Sequence, residues 1–212
     1  AQGELFSELN GKPATLVNCL GGKSVERPNA AQCQQIGRFC AQAHLAVADF
    51  PGNTPNPRGL AWIESAMNAL DSYLPNPVKE LLHSEVHHQK AVAERHAYRM
   101  LPKGAVHADL FRDNVLWTDE GPHFVDLDDC VTGPAIQDLW MLLSGNRSDM
   151  AEQLSQLLEG YTQFADFDAR ELALVESLRT LRMIHYSAWL ARRWSDPAFP
   201  AAFPWFIEPR YW

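Results

Sequence analysis

Three oxygen-bearing side chains stand out by type and spacing. Asp109 and Asn114 lie in Val106-His107-Ala108-Asp109-Leu110-Phe111-Arg112-Asp113-Asn114-Val115-Leu116-Trp117, and Asp126 follows a second apolar run at Phe124-Val125. A carboxylate in such a group can accept the proton of a hydroxyl. An amide oxygen and a second carboxylate are hard ligands that suit Mg²⁺ on a nucleotide triphosphate. An ordinary Asp titrates near ~3.9 and needs no special tuning to be ionised at neutral pH. The plain alternative is turn chemistry, because Asp and Asn are favoured turn residues.

Bringing the three together requires a hairpin. Apolar runs flank both polar clusters, so residues 107–114 read as a loop leading into a short strand. A turn at Glu120-Gly121-Pro122 and a second strand from His123 to Leu127 follow, and the hairpin holds the three side chains at one end of a small sheet.

The rest of the chain reads as mostly helical. Two short strands, Glu4 to Leu9 and Ala14 to Leu20, surround a turn at Asn10-Gly11-Lys12. Asn29 is an N-cap for a helix over Ala30 to Val47, whose stripe of Cys33, Ile36, Cys40 and His44 keeps the helical period. His44 is read as a core histidine bonded to a carbonyl rather than as a ligand. Phe50 to Gly59 is a loop that no helix crosses. Helices over Leu60 to Leu74 and Pro77 to Tyr98 follow, the second with Leu81, Leu82, Val86 and Ala93 toward the core. His83 and His87 lie one turn apart, but no third group completes a metal pattern, and a polar face is the better reading. Further helices are expected over Pro134 to Leu143 and Met150 to Phe164. Asp168 with Glu171 resembles a capping box for a long helix to Trp194, with a stripe of Leu172, Val175, Leu178, Leu181, His185 and Trp189. Arg179, Arg182, Arg192 and Arg193 on it are expected to pair with nearby acids rather than form an acidic-substrate patch. The aromatic tail from Phe199 to Trp212 reads as an extended cover over an apolar groove.

Composition narrows the class. At 212 residues, 46% hydrophobic and 21% charged, the chain suits one soluble domain. A net charge of −8 speaks against nucleic acid or an anionic membrane as partner. Cys19, Cys33, Cys40 and Cys130 show no zinc spacing, and scattered thiols suggest a reducing, cytoplasmic setting. No run approaches the ~18 apolar residues of a membrane span. Gly21-Gly22-Lys23-Ser24 ends like a phosphate loop, but position 17 is Val where that motif needs its first Gly.

His107-x-Asp109 with Asn114, followed by the apolar strand into Asp126, resembles the catalytic loop and metal-binding segment of eukaryotic-like kinases. The likeness is to the aminoglycoside phosphotransferase and choline kinase group, and Gly133-Pro134 with Asp138-Leu139 matches that group's later signature. Matches at Asp109, Asn114 and Asp126 together with Gly133-Pro134 and Asp138 argue against turn chemistry alone. Within the group, residues 11–117 resemble bacterial homoserine kinase, whereas 121–212 resemble the stress response kinase A family, bacterial Ser/Thr protein kinases. A mosaic of two relatives and a divergent member between them both remain open.

The resemblance implies an α+β fold, mostly α: the C-terminal lobe of a protein-kinase-like fold plus hinge. Residues 1–25 would be the hinge and last strands of an N-terminal lobe, and 26–212 a helical lobe with the catalytic hairpin at 106–127. It implies ATP and Mg²⁺ as cofactors, Asp109 as catalytic base, His107 supporting the loop, and Asn114 and Asp126 as metal ligands. Asp138 would tie down the loop, Asn18, Cys19 and Leu20 would face adenine, and Arg112 and Arg58 would touch substrate. The glycine-rich loop and strand lysine of such kinases have no counterpart here, so the chain alone is expected to be nearly inactive. Three readings follow. The first is a kinase for a small alcohol, with homoserine and threonine biosynthesis placed first. The second is a Ser/Thr protein kinase, and the third a non-catalytic fragment or pseudoenzyme.

Overall fold

The Asn29 side chain and Gln32 exchange hydrogen bonds of 3.0 Å with each other's backbone N–H, a capping box that starts the first long helix. The computed structural model describes residues 7–14, 19, 21–48, 60–94, 101 and 103–212. The hinge residues Asn18 and Leu20, the loop residue Arg58 and the end of the helix expected to reach Tyr98 lie outside the described residues.

Two short strands, β1 (Ser7–Leu9) and β2 (Lys12–Ala14), pair antiparallel around Asn10 and Gly11, both at positive φ. The chain then reaches α1 (Ala30–Ala46), α2 (Leu60–Leu70) and α3 (Asn76–Glu94). Strand β3 (Gly104–Val106) pairs with β6 (Val131–Gly133), and between them β4 (Val115–Thr118) and β5 (Gly121–Phe124) form the hairpin. Helices α4 (Ile136–Leu139), α5 (Arg147–Tyr161), α6 (Val175–Arg193) and α7 (Ala198–Ala202) complete the chain. The fold is mostly helical with small antiparallel sheets, and no described helix is long and apolar enough to cross a membrane.

Two apolar clusters organise these elements. The first joins α1, α4 and α5 through Ile36, Cys40, Leu110, Ile136, Leu139 and Leu157. Helices α1 and α5 approach closely at glycines: a Cβ at Gly37 would lie 2.0 Å from the Leu157 carbonyl oxygen, and one at Gly160 1.9 Å from that of Gln34. The second cluster joins α2, α3 and α6 through Ile63, Leu70, Val86, Ile184 and Leu190 to the fully buried Phe206 of the tail. Burying each such aliphatic or aromatic side chain contributes about 1.5–3 kcal/mol.

Several boundaries differ from expectation. The hairpin turn is Asp119-Glu120, with Thr118 opposite Gly121, so β5 begins two residues early and Leu127–Asp129 is a 3₁₀ turn. Pro122 is tolerated in β5 opposite Trp117, in a ladder only two strands wide. On α3, Leu81 is 71% exposed; the buried line passes through Val86 and the partly buried Val78 and Leu82, about 100° round the helix. Asp168 caps a 3₁₀ segment, Ala169–Leu174, and α6 starts only at Val175. Its deepest residues are Ile184, Ala188 and Leu190, and Leu172 is exposed. Helix α5 begins earlier than Met150 because Asn146 and Asp149 form a capping box. The aromatic tail does cover an apolar face, but as α7 and a 3₁₀ turn at Pro204–Ile207 rather than as extended chain.

Candidate active site

The loop after β3 is held from behind by a buried carboxylate. Pairing of Val106 with Val131 brings the loop's first residues against α4, where Asp138 is 1% exposed. The backbone N–H of His107 donates to Asp138 Oδ2 and that of Ala108 to Oδ1, each at 2.8 Å. Both amides can turn the same way because Ala108 adopts φ 64°, a left-handed conformation that costs a non-glycine residue roughly 1–2 kcal/mol. Two strong charge-assisted bonds offset it.

Asp138 is itself held. His44 Nε2 on α1 lies 2.9 Å from Asp138 Oδ2, and His44 Nδ1 lies 2.9 Å from the Tyr161 hydroxyl on α5. Burial pushes the Tyr161 hydroxyl far above the usual phenol range, so it keeps its proton, and Nε2–H donates to the Asp138 carboxylate. His44 is thus core-facing as its stripe suggests, but its partners are a carboxylate and a hydroxyl rather than a carbonyl. Glu171, read as half of a capping box, instead accepts the Ile136 N–H at the start of α4 across 2.9 Å. Burial raises its pKa, against the opposing pull of that bond.

Within the loop each group has a partner. His107 Nε2 faces the Val125 carbonyl at 2.8 Å, so it carries the proton, and Nδ1 accepts the Asp109 N–H at 3.3 Å. Asn114 closes a 3₁₀ turn, Arg112–Asn114, and its Nδ2 donates to the Asp109 carbonyl at 2.9 Å. That bond uses the amino end of the side chain and leaves Oδ1 as the ligand-type atom. Val125 N–H donates to the Asn114 carbonyl, which ties the loop to the end of β5. Asp126 follows at φ 64° and ψ 60°, exposed.

Asp109 and Asp126 line one cleft of about 510 Å³, together with Asp129. The opposite wall is supplied by Trp62 of α2 and by Arg182, His185, Tyr186, Trp189 and Arg193 of α6. Arg182 Nη2 forms an ion pair with Asp109 Oδ1. Arg193 lies over Trp189 with its guanidinium carbon 4.7 Å from the ring centre, while Arg192 lies over Trp62 and donates to Ser65 Oγ. Of the four α6 arginines, only Arg179 pairs with a helix neighbour, Glu176 at 3.9 Å.

The sequence-derived residues divide accordingly. Asp109 and Asp126 share the cleft, Asn114 braces the backbone beneath it, and His107 and Asp138 hold the loop. Arg112 lies elsewhere, 3.0 Å from Asp113 and along a separate polar cleft with Glu26 and Asp149. Cys19 is exposed. Tyr161, Glu171 and the pairing of Arg182 with Asp109 were not foreseen from the sequence. Among the described residues no three His, Cys, Asp or Glu side chains form a metal cluster.

The chain is 35% identical over 206 residues to stress response kinase A of Escherichia coli O157:H7, covering 91% of this chain and 60% of that protein. It is 38% identical over 199 residues, with the same coverage, to the serine/threonine protein kinase RdoA of Salmonella typhimurium. The chain therefore spans about 60% of the length of these relatives. Each alignment runs through both halves of the sequence, and the relatives are named as a stress response kinase and a serine/threonine protein kinase, not as homoserine kinase. Among solved structures, a spectinomycin phosphotransferase matches with a TM-score of 0.65 at 16% identity, covering 97% of this chain and 71% of that one. A choline kinase from Cryptosporidium parvum matches at 0.60 and 13%, covering 91% and 67%. These structural likenesses establish a shared fold. Residues 2–175 match the APH phosphotransferase enzyme family, and the chain belongs to that family.

Proposed function

We propose that this chain carries the phosphoryl-transfer site of an ATP- and Mg²⁺-dependent kinase whose acceptor is a serine or threonine hydroxyl of a protein. The observation that supports it most is that Asp109 and Asp126 line one cleft while Asp138 grips the loop between two backbone amides. Asp109 accepts the acceptor's proton. Asn114 Oδ1 and Asp126 are the residues that would hold Mg²⁺. They fit an ion that takes one or two protein oxygens and fills its remaining positions with water and phosphate. When bound, the magnesium nucleotide supplies the phosphoryl group and neutralises charge on it. His107 and Asp138 fix the loop so that the base stays where the hydroxyl arrives.

Asn18, Cys19 and Leu20 are kept as the adenine-facing stretch, and Arg58 as an acceptor contact. The acceptor side of the cleft is assigned to the α6 wall and not to Arg112, which lies outside it. The protein acceptor is favoured over homoserine by the relative named as a serine/threonine protein kinase. Nucleotide use is supported by the amicoumacin kinase solved with AMP-PNP and Ca²⁺, a structural likeness at a TM-score of 0.65. A cytoplasmic setting is part of the same reading, since Cys19, Cys33, Cys40 and Cys130 are all free thiols.

The test offers the full gene product γ-labelled ATP and Mg²⁺ with a degenerate Ser/Thr peptide mixture or with homoserine. Label on peptide and none on homoserine is expected. Label on homoserine alone would replace this acceptor, and failure of Mg-nucleotide to bind by calorimetry would favour a non-catalytic role.

A further inference from the structure

The loop carries its own arginine, yet Arg112 is half exposed and paired with its neighbour Asp113. Among the described residues, a cation from α6 meets Asp109. Arg182 pairs with Asp109 Oδ1, with side-chain exposures of only 25% and 12%. An ion pair so sheltered is screened far less than a surface pair.

We propose that Arg182 is a positioning residue for Asp109, fixing one carboxylate oxygen so that the other faces the acceptor hydroxyl. This rests on Asp109 being the proton acceptor. The physical need is specific. The terminal torsion of an Asp side chain is broad and roughly two-fold, so the carboxylate plane is not set by its backbone. The bonds made by Asp138 and Asn114 go to backbone atoms of His107, Ala108 and Asp109 and so fix the loop rather than the plane of the carboxylate. A guanidinium on Oδ1 supplies such a restraint.

Helix α6 is built to hold this arginine still. Arg182, His185, Tyr186 and Trp189 recur at helical spacing on the face that lines the cleft. Along that face Tyr186 stacks on Trp189 with ring centres 6.0 Å apart, and His185 packs on Trp62 at 4.6 Å. Other charged groups that share the cleft are Asp126 and Asp129 beside the base and Arg193 on α6.

The test compares Arg182→Ala and Arg182→Lys with the wild type in the full gene product, using the peptide acceptor. For Arg182→Ala a fall in kcat of about 10²-fold is expected, the size of effect that a misplaced catalytic group produces. The KM values for ATP and peptide should stay within roughly threefold, because the pair restrains the base and not substrate. Guanidinium ion at millimolar concentration should restore part of the lost kcat in Arg182→Ala. Arg182→Lys, which keeps the charge without the planar fork, should fall between the two and serves if the alanine variant does not fold. A purely structural pair would lower the unfolding midpoint with no guanidinium rescue. Wild-type kcat in either variant overturns the proposal. Asp109→Asn separates the two claims: if it too retains wild-type turnover, the base assignment has failed, whereas loss there with full activity in Arg182→Ala removes only the positioning role.

Discussion

Behind the loop the core is aliphatic and threaded with buried polar groups, whereas across the cleft an aliphatic centre holding one buried ring, Phe206, is covered by partly buried aromatic side chains. Beside Ile36, Leu139 and Leu157, Asp138 and Glu171 accept backbone amides at the starts of the loop and of α4, while His44 and Tyr161 brace Asp138. In the other core Phe206 is ringed by Tyr73 at 5.3 Å, Trp194 at 4.8 Å and Trp212 at 5.2 Å. Directional bonds fix where a backbone sits, while ring packing fixes the shape of a wall without fixing any one polar atom. The cleft lies where the two meet. Its acids come from the polar-braced side and its arginines and rings from the aromatic side.

That contrast is open to test by disturbing each side in turn. The largest effect on stability is expected from Phe206→Ala, about 3–5 kcal/mol by chemical denaturation, because a fully buried ring leaves a cavity. Gly160→Ala on the other side should cost about 1–3 kcal/mol, since a methyl placed 1.9 Å from the Gln34 carbonyl oxygen must push α1 and α5 apart. A loss under 0.5 kcal/mol there would show that the helices slide freely. Asp138→Asn should also cost about 1–3 kcal/mol, because an amide group can accept from one of the two loop N–H groups but not both. Hydrogen exchange should then quicken at His107 and Ala108 and stay unchanged in α2. The smallest effect is expected from Glu171→Gln. A carboxyl with a raised folded pKa binds its proton more tightly when folded, so its ionisation erodes stability as pH rises from its ordinary value of 4.5 upward. The glutamine variant keeps an acceptor for Ile136 N–H and should flatten the stability–pH curve in that window by less than about 1 kcal/mol.

Much of the polar-braced side was legible in the sequence. Asp109, Asn114 and Asp126 sit within one loop and one hairpin, where local pattern and turn residues decide the structure, and Asn29 announced its helix by side-chain type. The two-residue error in the start of β5 arose because Gly121, at φ 119°, opens a strand here and does not sit in the turn. What escaped was long-range. Arg182 and Asp109 belong to different elements far apart in sequence, and no periodicity links them. Glu171 follows Asp168 at capping-box spacing, but the pattern cannot tell a side chain that reaches back from one that reaches across to α4. Leu81 and Leu82 are adjacent leucines, and only the packing of α3 decides which faces inward.

The most direct measurement is the Mg²⁺ dependence of γ-phosphoryl transfer from ATP in the full gene product and in its Asp109→Asn and Asp126→Asn variants. Transfer should require Mg²⁺, fall about 10²–10⁴-fold without the Asp109 carboxylate, and need more Mg²⁺ for half-maximal rate in Asp126→Asn. Undiminished transfer in Asp109→Asn, or an unchanged Mg²⁺ requirement in Asp126→Asn, would contradict a phosphotransfer site built on these two carboxylates.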